Sequence, residues 1–592
     1  MLAQRSTPIK LSQEAAVKLP RAGFWLLLAV FALSGFFADD LWTPRDIDSF
    51  AAAWSLTQAP LEAWLLPSAF GESLTNAGPL TAWVSALLMR LLGEQGLSWL
   101  SEVEVLRLAA LIWFTLSAFA LWEAAYRLAR RPEAQPIAFA FGGEARPKDF
   151  ARSIADSTVL LFVAIFGILT RQHEAVPDTA LLAIAALNLY ALTIAIKRPI
   201  LGSVMAGLSV CASIVASTLF AGVWLLAQSL IVVGTLSNGS RERDISFIAL
   251  ILSATALFSL WPLSAWVVNA QATSLWFHQW ALAQTDHFGP AGLSTYLWFA
   301  KHSLWFLLPV WPLVLMGLLS WGRRLTETFL FLPTVVIAIT ALGVIFSSRQ
   351  STDSVFLACL PALTVFAAFS LLTIRRGWES VLDWFGLTIF SLAALTIWLY
   401  WGAWFSGMPP KMHQSIIHLA PTVRPSFDGG FVVACAVSVA WIALLVWRLT
   451  HRSVALWRGP WINAVGMTVT VVIGLGLFHH AATEFRSLAP VVGTIEKLLI
   501  ADGFQPGDCI TPVRLSPAQS TVMTYYGQGP LTQLKASGSC RFTLIRQSSS
   551  APTLELAGAV GAARTRSGEA FYVIQSARLP QGAPITETLL HK

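Results

Sequence analysis

Asp39, Asp40, Arg45, Asp46 and Asp48 all lie between Phe37 and Ala51, four carboxylates and a guanidinium in one short stretch. They follow an apolar run, residues 24–37, that reads as a first membrane span. A carboxylate at the mouth of a span is a functional candidate by default, because placing charge beside hydrocarbon is costly. Partial desolvation raises its pKa toward the range in which it can take a proton from a hydroxyl. The plain alternative is a solvated helix start, where Asp46 and Asp48 simply suit the helix dipole. Further groups follow along the chain. His173 and Glu174 stand just before Pro177-Asp178, His278 sits among tryptophans, Lys301 is followed by His302, and Arg349 lies in the polar segment 347–354. All belong to loops predicted on one side of a membrane, and together they suggest one composite site at its surface.

These loops connect predicted spans. The 592 residues are 55% hydrophobic and only 12% charged, with mean hydropathy +0.64. A soluble chain carries about 25% charged residues, so this composition indicates a polytopic membrane protein. The net charge of +7 then reflects basic loops retained in the cytoplasm and says nothing of nucleic acid. Arg5, Lys10, Lys18 and Arg21 precede the first apolar run, and no small-residue cleavage site follows, so that run reads as an uncleaved span.

Placing residues 1–22 in the cytoplasm, the basic clusters at Arg127–Arg131, Lys197-Arg198, Arg241–Arg243, Arg323-Arg324, Arg375-Arg376 and Arg448–Arg458 fix the remaining crossings. The expectation is an all-α transmembrane domain over residues 23–478 with about 13 spans. Residues 39–104 would form one external segment bearing helices too short to span, and residues 199–236 two spans joined by a very short turn. The cytoplasmic segments hold 21 Lys and Arg against eight in the outer segments before residue 479, which supports this sidedness. The eight are Arg45, Arg90, Arg107, Arg171, Lys301, Arg349, Lys411 and Arg424. Some suit headgroup anchoring, others an anionic lipid phosphate.

After residue 478 the composition turns soluble, and residues 479–592 read as a small α/β domain on the periplasmic side. A helix is expected over 484–502, with strands near 508–513, 541–546 and 570–574. Cys211, Cys359 and Cys435 lie in apolar runs as small core residues. Cys509 and Cys540 precede strand-like runs in an oxidising compartment and are expected to pair, with two buried free thiols as the alternative.

No Walker motif, dinucleotide fingerprint, HExxH or GxSxG pentad is present. No nucleotide is available outside the membrane, so a group-transfer enzyme there needs a lipid-carried donor. Leu41-Trp42-Thr43-Pro44 followed by Asp46-Ile47-Asp48-Ser49-Phe50-Ala51 is similar to the Leu-Trp-x-Pro and Asp-Glu-x-x-Tyr-Ala of the GT-C glycosyltransferases that use polyprenyl-phosphate sugars. The bacterial branch with the lipid A aminoarabinose transferase and the protein O-mannosyltransferase-like enzymes is the one it resembles. Gly78-Pro79-Leu80 keeps the Pro-Leu of the family's Lys-Pro-Pro-Leu; the lysine is lost and Asn76 replaces the acid before it. Pro177-Asp178 matches a second aspartate, and Arg349 with Phe356-Leu357 and Pro361 a third motif.

The resemblance implies inverting sugar transfer at the periplasmic face of a bacterial inner membrane, onto a lipid, glycan or protein acceptor. Asp46 would be the general base, with Asp48 as substitute and Asp178 in the same cavity, unless Asp178 merely caps its helix. Arg349, Lys301 and Arg45, in that order, would stabilise the leaving phosphate. His173 and Glu174 would contact substrate, and His278 and His302 could orient the phosphate or ligate a divalent metal. Two other classes stay open: a transporter or flippase for lipid-linked saccharides, and an inactive relative that only binds them.

Overall fold

The structure, a computed structural model, describes residues 9–36, 40–43, 45–94, 100–172, 177–237, 239–289, 292–348, 352–374, 376–450, 455–536, 540–547, 559–564 and 569–576. Arg349, His173 and Glu174, three of the expected site residues, lie outside the described residues.

The chain opens with α1 (Arg21–Leu33) and then leaves the bundle for α2 (Arg45–Gln58), the small hairpin β1 (Ser68–Ala69) and β2 (Glu72–Ser73), and α3 (Leu80–Glu94). α4 (Glu102–Ala129) begins with a reciprocal cap, Ser101 on the Glu104 amide and Glu104 on the Ser101 amide. There follow α5 (Pro147–Val163), α6 (Phe166–Gln172), α7 (Pro177–Ala195), α8 (Pro199–Ala216), α9 (Leu219–Leu236), α10 (Ser240–Val268) and α11 (Ala270–Thr285). Prolines open α5, α7 and α8, where the missing N–H has no helical partner to lose. α12 (Leu293–Phe306) and α13 (Val310–Trp321) are bent by 99° against each other. α14 (Thr328–Ile345), α15 (Thr352–Ser370), α16 (Arg376–Ser406), the short α17 (Pro410–Leu419), α18 (Gly429–Thr450) and α19 (Arg458–Arg486) complete the bundle.

Ten of the described helices are long and apolar enough to cross a membrane, or eleven if the bent pair counts as one. The protein is a multi-pass membrane protein. The expected count of about 13 is not confirmed among the described residues, where two of the apolar runs yield short helices: α1 has 13 residues and α5 has 17. α5 ends at Val163 and the chain restarts as α6 at Phe166, which breaks the run expected over 152–170. Ser217 and Thr218 alone separate α8 from α9, the very short turn expected there.

Charge inside the bundle is paired. Asp383, fully buried on α16, meets Arg448 of α18 and Arg458 of α19, each at 2.8 Å. Asp156 of α5 accepts from Arg21 at 2.9 Å and from the Trp122 indole at 2.8 Å. Such groups fix helix neighbours, because either partner alone would leave a charge stranded.

α19 runs to Arg486, past the expected end at 478, and leads through α20 (Ala489–Ala501) into the C-terminal region. There β3 (Ile510–Val513), α21 (Pro517–Tyr526), β4 (Phe542–Gln547), β5 (Ala559–Arg564) and β6 (Ala570–Gln575) form a sheet of order β3-β4-β6-β5 with one helix beside it. β3 runs parallel to β4, from Ile510 opposite Phe542, and the other pairs are antiparallel. Cys509 and Cys540 are disulfide-bonded at the head of β3 and β4, with Cα atoms 4.9 Å apart.

This sheet is not a separate appendage. Phe542, Leu544, Phe571 and Val573 share a core with Val522 and Met523 of α21, Ile495 and Leu499 of α20, and Ile47, Phe50 and Leu56 of α2. The first loop and the last domain therefore fold onto one another.

A carboxylate and arginine site between the first loop and the C-terminal sheet

α2 buries one face, Ile47, Phe50, Ala51 and Ala53, at the helical spacing that an amphipathic helix requires. Phe50 is fully buried with its ring 4.7 Å from Tyr525, and Trp54 lies 5.9 Å from the same tyrosine. Rotation of α2 is thus fixed by α21, and its first turn presents Arg45, Asp46 and Asp48 toward the bundle. Three grips hold the segment before it. The end of α19 takes Thr43, whose amide and hydroxyl donate to the Arg486 carbonyl at 3.0 and 2.9 Å. The Arg486 guanidinium lies over the Trp42 ring, 5.7 Å from its centroid. From α21, the Tyr526 hydroxyl accepts from the Leu41 amide at 2.9 Å. From α4, buried Arg107 donates to the Gly35 and Asp40 carbonyls, while its Nε has no hydrogen-bond partner among the described residues.

Two cavities meet at this turn. The larger, about 1200 Å³, is lined by Trp42, Arg45, Asp46, Asp48, Asn76 and Arg107, with Arg486 at the end of α19. Its floor is apolar, made of Leu169, Val471, Gly474, Leu475 and Phe485. Its far wall comes from the C-terminal domain: Ser516, Gln519, and the Arg546–Glu569 ion pair. The smaller cavity, about 320 Å³, lies between α2, the start of α3, the start of α7 and the turn before α9. Asp178, His287, Ser217, Thr218, Ala77 and Gly78 line it, and it shares Arg45, Asp48 and Asn76 with the larger one.

Asp46 is 4% exposed and turns back to accept from the Trp42 amide at 3.3 Å. Asp48 is exposed and lines both cavities. Desolvation by the surrounding protein pushes its carboxyl up to about 6. Asp178, the second residue of α7, lies 3.8 Å from the Arg45 guanidinium, so the first loop and the bundle are joined by an ion pair at the junction. Burial lowers the affinity of the His287 imidazole for a proton, opposed by the charge of Asp286. Ala77 stands where the resemblance expects a lysine. A Cβ on its neighbour Gly78 would come within 2.1 Å of the Val215 carbonyl, so only glycine lets this strand of the pocket lie on α8.

The remaining expected residues lie elsewhere. Lys301 and His278 are exposed on α12 and α11, and neither lines the two cavities. His302 stacks on Trp298 with centroids 4.7 Å apart and packs near Trp305, Phe306 and Phe356. Trp276, two residues before His278, and Trp261 of α10 are anchors: they donate to the Pro67 and Leu65 carbonyls at 3.1 and 2.8 Å. Arg90 places its guanidinium on the Leu56 and Thr57 carbonyls at the end of α2 and on the Ala59 carbonyl just past it, a helix-capping role. Sequence reasoning singled out Arg107 only as a sided exception. It missed Arg486, Arg546 and Glu569, for which no local motif exists.

This arrangement has solved counterparts. Two crystal structures of ArnT from Cupriavidus metallidurans superpose along 95% of this chain and 99% of theirs. The one bound to undecaprenyl phosphate gives a TM-score of 0.62 at 14% identity, and the one in the apo state 0.55 at 16%. The chain has the ArnT fold. The polytopic helical fold expected from the resemblance is therefore borne out over nearly the whole length. No family model and no curated protein matches the sequence.

Proposed function

We propose that the chain is an inner-membrane glycosyltransferase that takes a sugar from a polyprenyl-phosphate carrier and inverts it onto a hydroxyl acceptor. The observation that carries this is the junction itself: a carboxylate with a raised pKa and a guanidinium stand where two cavities of mixed polar and apolar lining meet. An apolar floor beneath Arg45, Arg107 and Arg486 suits a lipid phosphate, with hydrocarbon on the helices and the anion at the arginines. The likeness to ArnT with undecaprenyl phosphate bound supports the same class of carrier here.

In this reading Asp48 is the base. It faces both cavities and its carboxyl is pushed up to about 6, whereas Asp46 is buried and spends an oxygen on Trp42. The acceptor O–H loses its proton to Asp48 while its oxygen bonds to the anomeric carbon from the face opposite the phosphate. The glycosidic C–O bond breaks with its electron pair on the phosphate oxygen, and Arg45 with Arg107 stabilises that charge. Asp178 holds Arg45 in place. Because Ala77 supplies no ammonium, guanidinium groups carry the whole electrostatic role. The cavity end then faces the periplasm, the N-terminus the cytoplasm, and the acceptor enters beside the C-terminal sheet.

Purified chain in nanodiscs, given a polyprenyl-phosphate sugar and envelope lipids, should release free polyprenyl phosphate. Envelope lipids and glycans of a deletion strain should lack one glycosyl unit by mass spectrometry. Donor binding without turnover would leave the inactive-relative reading, and movement of intact donor across the bilayer would favour a flippase.

A further inference from the structure

Outside both cavities, the loop before α18 and the last turns of α19 bring together Asp428, His479 and His480. One ligand atom from each lies within 4.8 Å of the other two. We propose that these three residues bind a divalent transition-metal ion of the zinc class, which clasps the α18 entry loop to the end of α19.

The donor set fits that ion. Zinc takes imidazole nitrogen and carboxylate oxygen at about 2.0–2.2 Å, so neighbouring ligand atoms of a tetrahedral site lie roughly 3.4 Å apart. The His480 Nε2 to Asp428 Oδ2 distance is 3.2 Å, already such an edge, and small rotations bring in His479. Consecutive helical side chains normally diverge by about 100°. Here the two rings lean together, with centroids 3.7 Å apart.

The carboxylate is also prepared. Its Oδ1 accepts from the Phe431 amide at 3.0 Å, capping α18, and its Oδ2 accepts from Ser426 at 2.8 Å. Partners of this kind orient a ligand from behind.

The backbones make the approach possible. One turn below the cluster α18 and α19 cross glycine on glycine: a Cβ on Gly430 would lie 2.5 Å from the Gly476 carbonyl, and one on Gly476 2.7 Å from that of Gly430. Above it Glu484 accepts from the Thr422 and Val423 amides at 3.3 and 3.2 Å, so the loop is held to α19 on both sides of the site. His479 stands on the face of α19 that carries Leu475, Ala482 and Arg486, all of which line the large cavity. A metal here would brace the helix end that grips Thr43 and Trp42 without entering the cavity.

The test uses the full chain in nanodiscs, stripped with chelator and titrated with Zn²⁺, with bound metal counted by mass spectrometry and melting followed in parallel. The expected result is one tight equivalent and a zinc-dependent rise in melting temperature. Co²⁺ in its place should give the visible absorption of a low-coordinate site. His479→Gln with His480→Gln should weaken binding at least about a hundredfold, while His418→Gln on α17 should not. Asp428→Asn keeps the α18 cap, guards against misfolding, and should also abolish the tight equivalent. Equal uptake by the wild type and the Asp428→Asn chain would overturn the site, as would no stoichiometric zinc in the wild type.

Discussion

Asp48 owes its chemistry to its surroundings. A carboxyl at about 6 is half ionised where an ordinary aspartate is wholly so, and its protonated form cannot accept a proton. Transfer should therefore rise with pH through about 6 and level off above it. Asp48→Asn should lower turnover by about 10²–10⁴ and remove that limb from what activity remains. Asp46→Asn should instead leave the limb in place, since Asn can still accept from the Trp42 amide. A wild-type rate in the Asp48→Asn chain would move the base elsewhere. At the ion pair, Arg45 and Asp178 are both partly open to solvent, so their attraction contributes less than about 1 kcal/mol to stability. Asp178→Asn should then melt within a few degrees of the wild type yet turn over at least tenfold more slowly. Full activity in that variant would reduce Asp178 to a favourable charge in the first turn of α7.

At the scale of elements, α2 is the part whose position matters most, and it is held by packing rather than by its own propensity. Its ring contact to Tyr525 and the fully buried Phe50 lie in a core shared by two regions over 400 positions apart. Phe50→Ala should cost about 3–5 kcal/mol, because the cavity left behind cannot collapse between two rigid layers. A lower melting temperature should come with faster proteolysis of both the first loop and the C-terminal sheet. If only the first loop became sensitive, the shared core would not be cooperative. α19 is the second such element. It carries the floor of the large cavity along its middle, and its last residue holds Thr43, so a bend in it would reach Asp46 and Asp48.

For the whole molecule, the C-terminal domain is a wall of the site as well as a cover. Ser516, Gln519, Arg546 and Glu569 complete the large cavity, and Tyr525 and Tyr526 tie α21 to Glu102 and Leu41. Burial, and after it the Glu102 carboxylate, push the Tyr525 hydroxyl up, so it remains a donor at any physiological pH. The Cys509–Cys540 bond closes a loop with a separation of 31 residues in this domain. Replacing both by Ser should lower its stability by roughly 3 kcal/mol, the chain entropy restored to the unfolded state. Differential scanning fluorimetry with and without reductant measures this, and the double-Ser chain should no longer respond to reductant.

Much of the architecture was legible in the sequence because hydrocarbon demands unbroken apolar runs, and a run either has the length or lacks it. The turn at Ser217-Thr218, the short helix after Pro79 and the strands at β3, β4 and β6 followed from that rule and from turn residues. β5 did not, since Ala559-Val560-Gly561-Ala562-Ala563-Arg564 lacks the branched alternation that marks a strand. The cluster of Arg45, Asp46, Asp48 and Asp178 was legible too, because motif order and sidedness put acids at span mouths. Sidedness says which face a residue reaches and nothing of where on that face it stands. Lys301, His278 and His302 share the expected face with Asp48, but they sit on α11 and α12 and line neither cavity. Arg107, Arg486, Arg546 and Glu569 enter the cavity from elements far apart in the chain, through helix crossings and a sheet docked on α2. Those depend on which surfaces pack against which, and only the tertiary structure decides that.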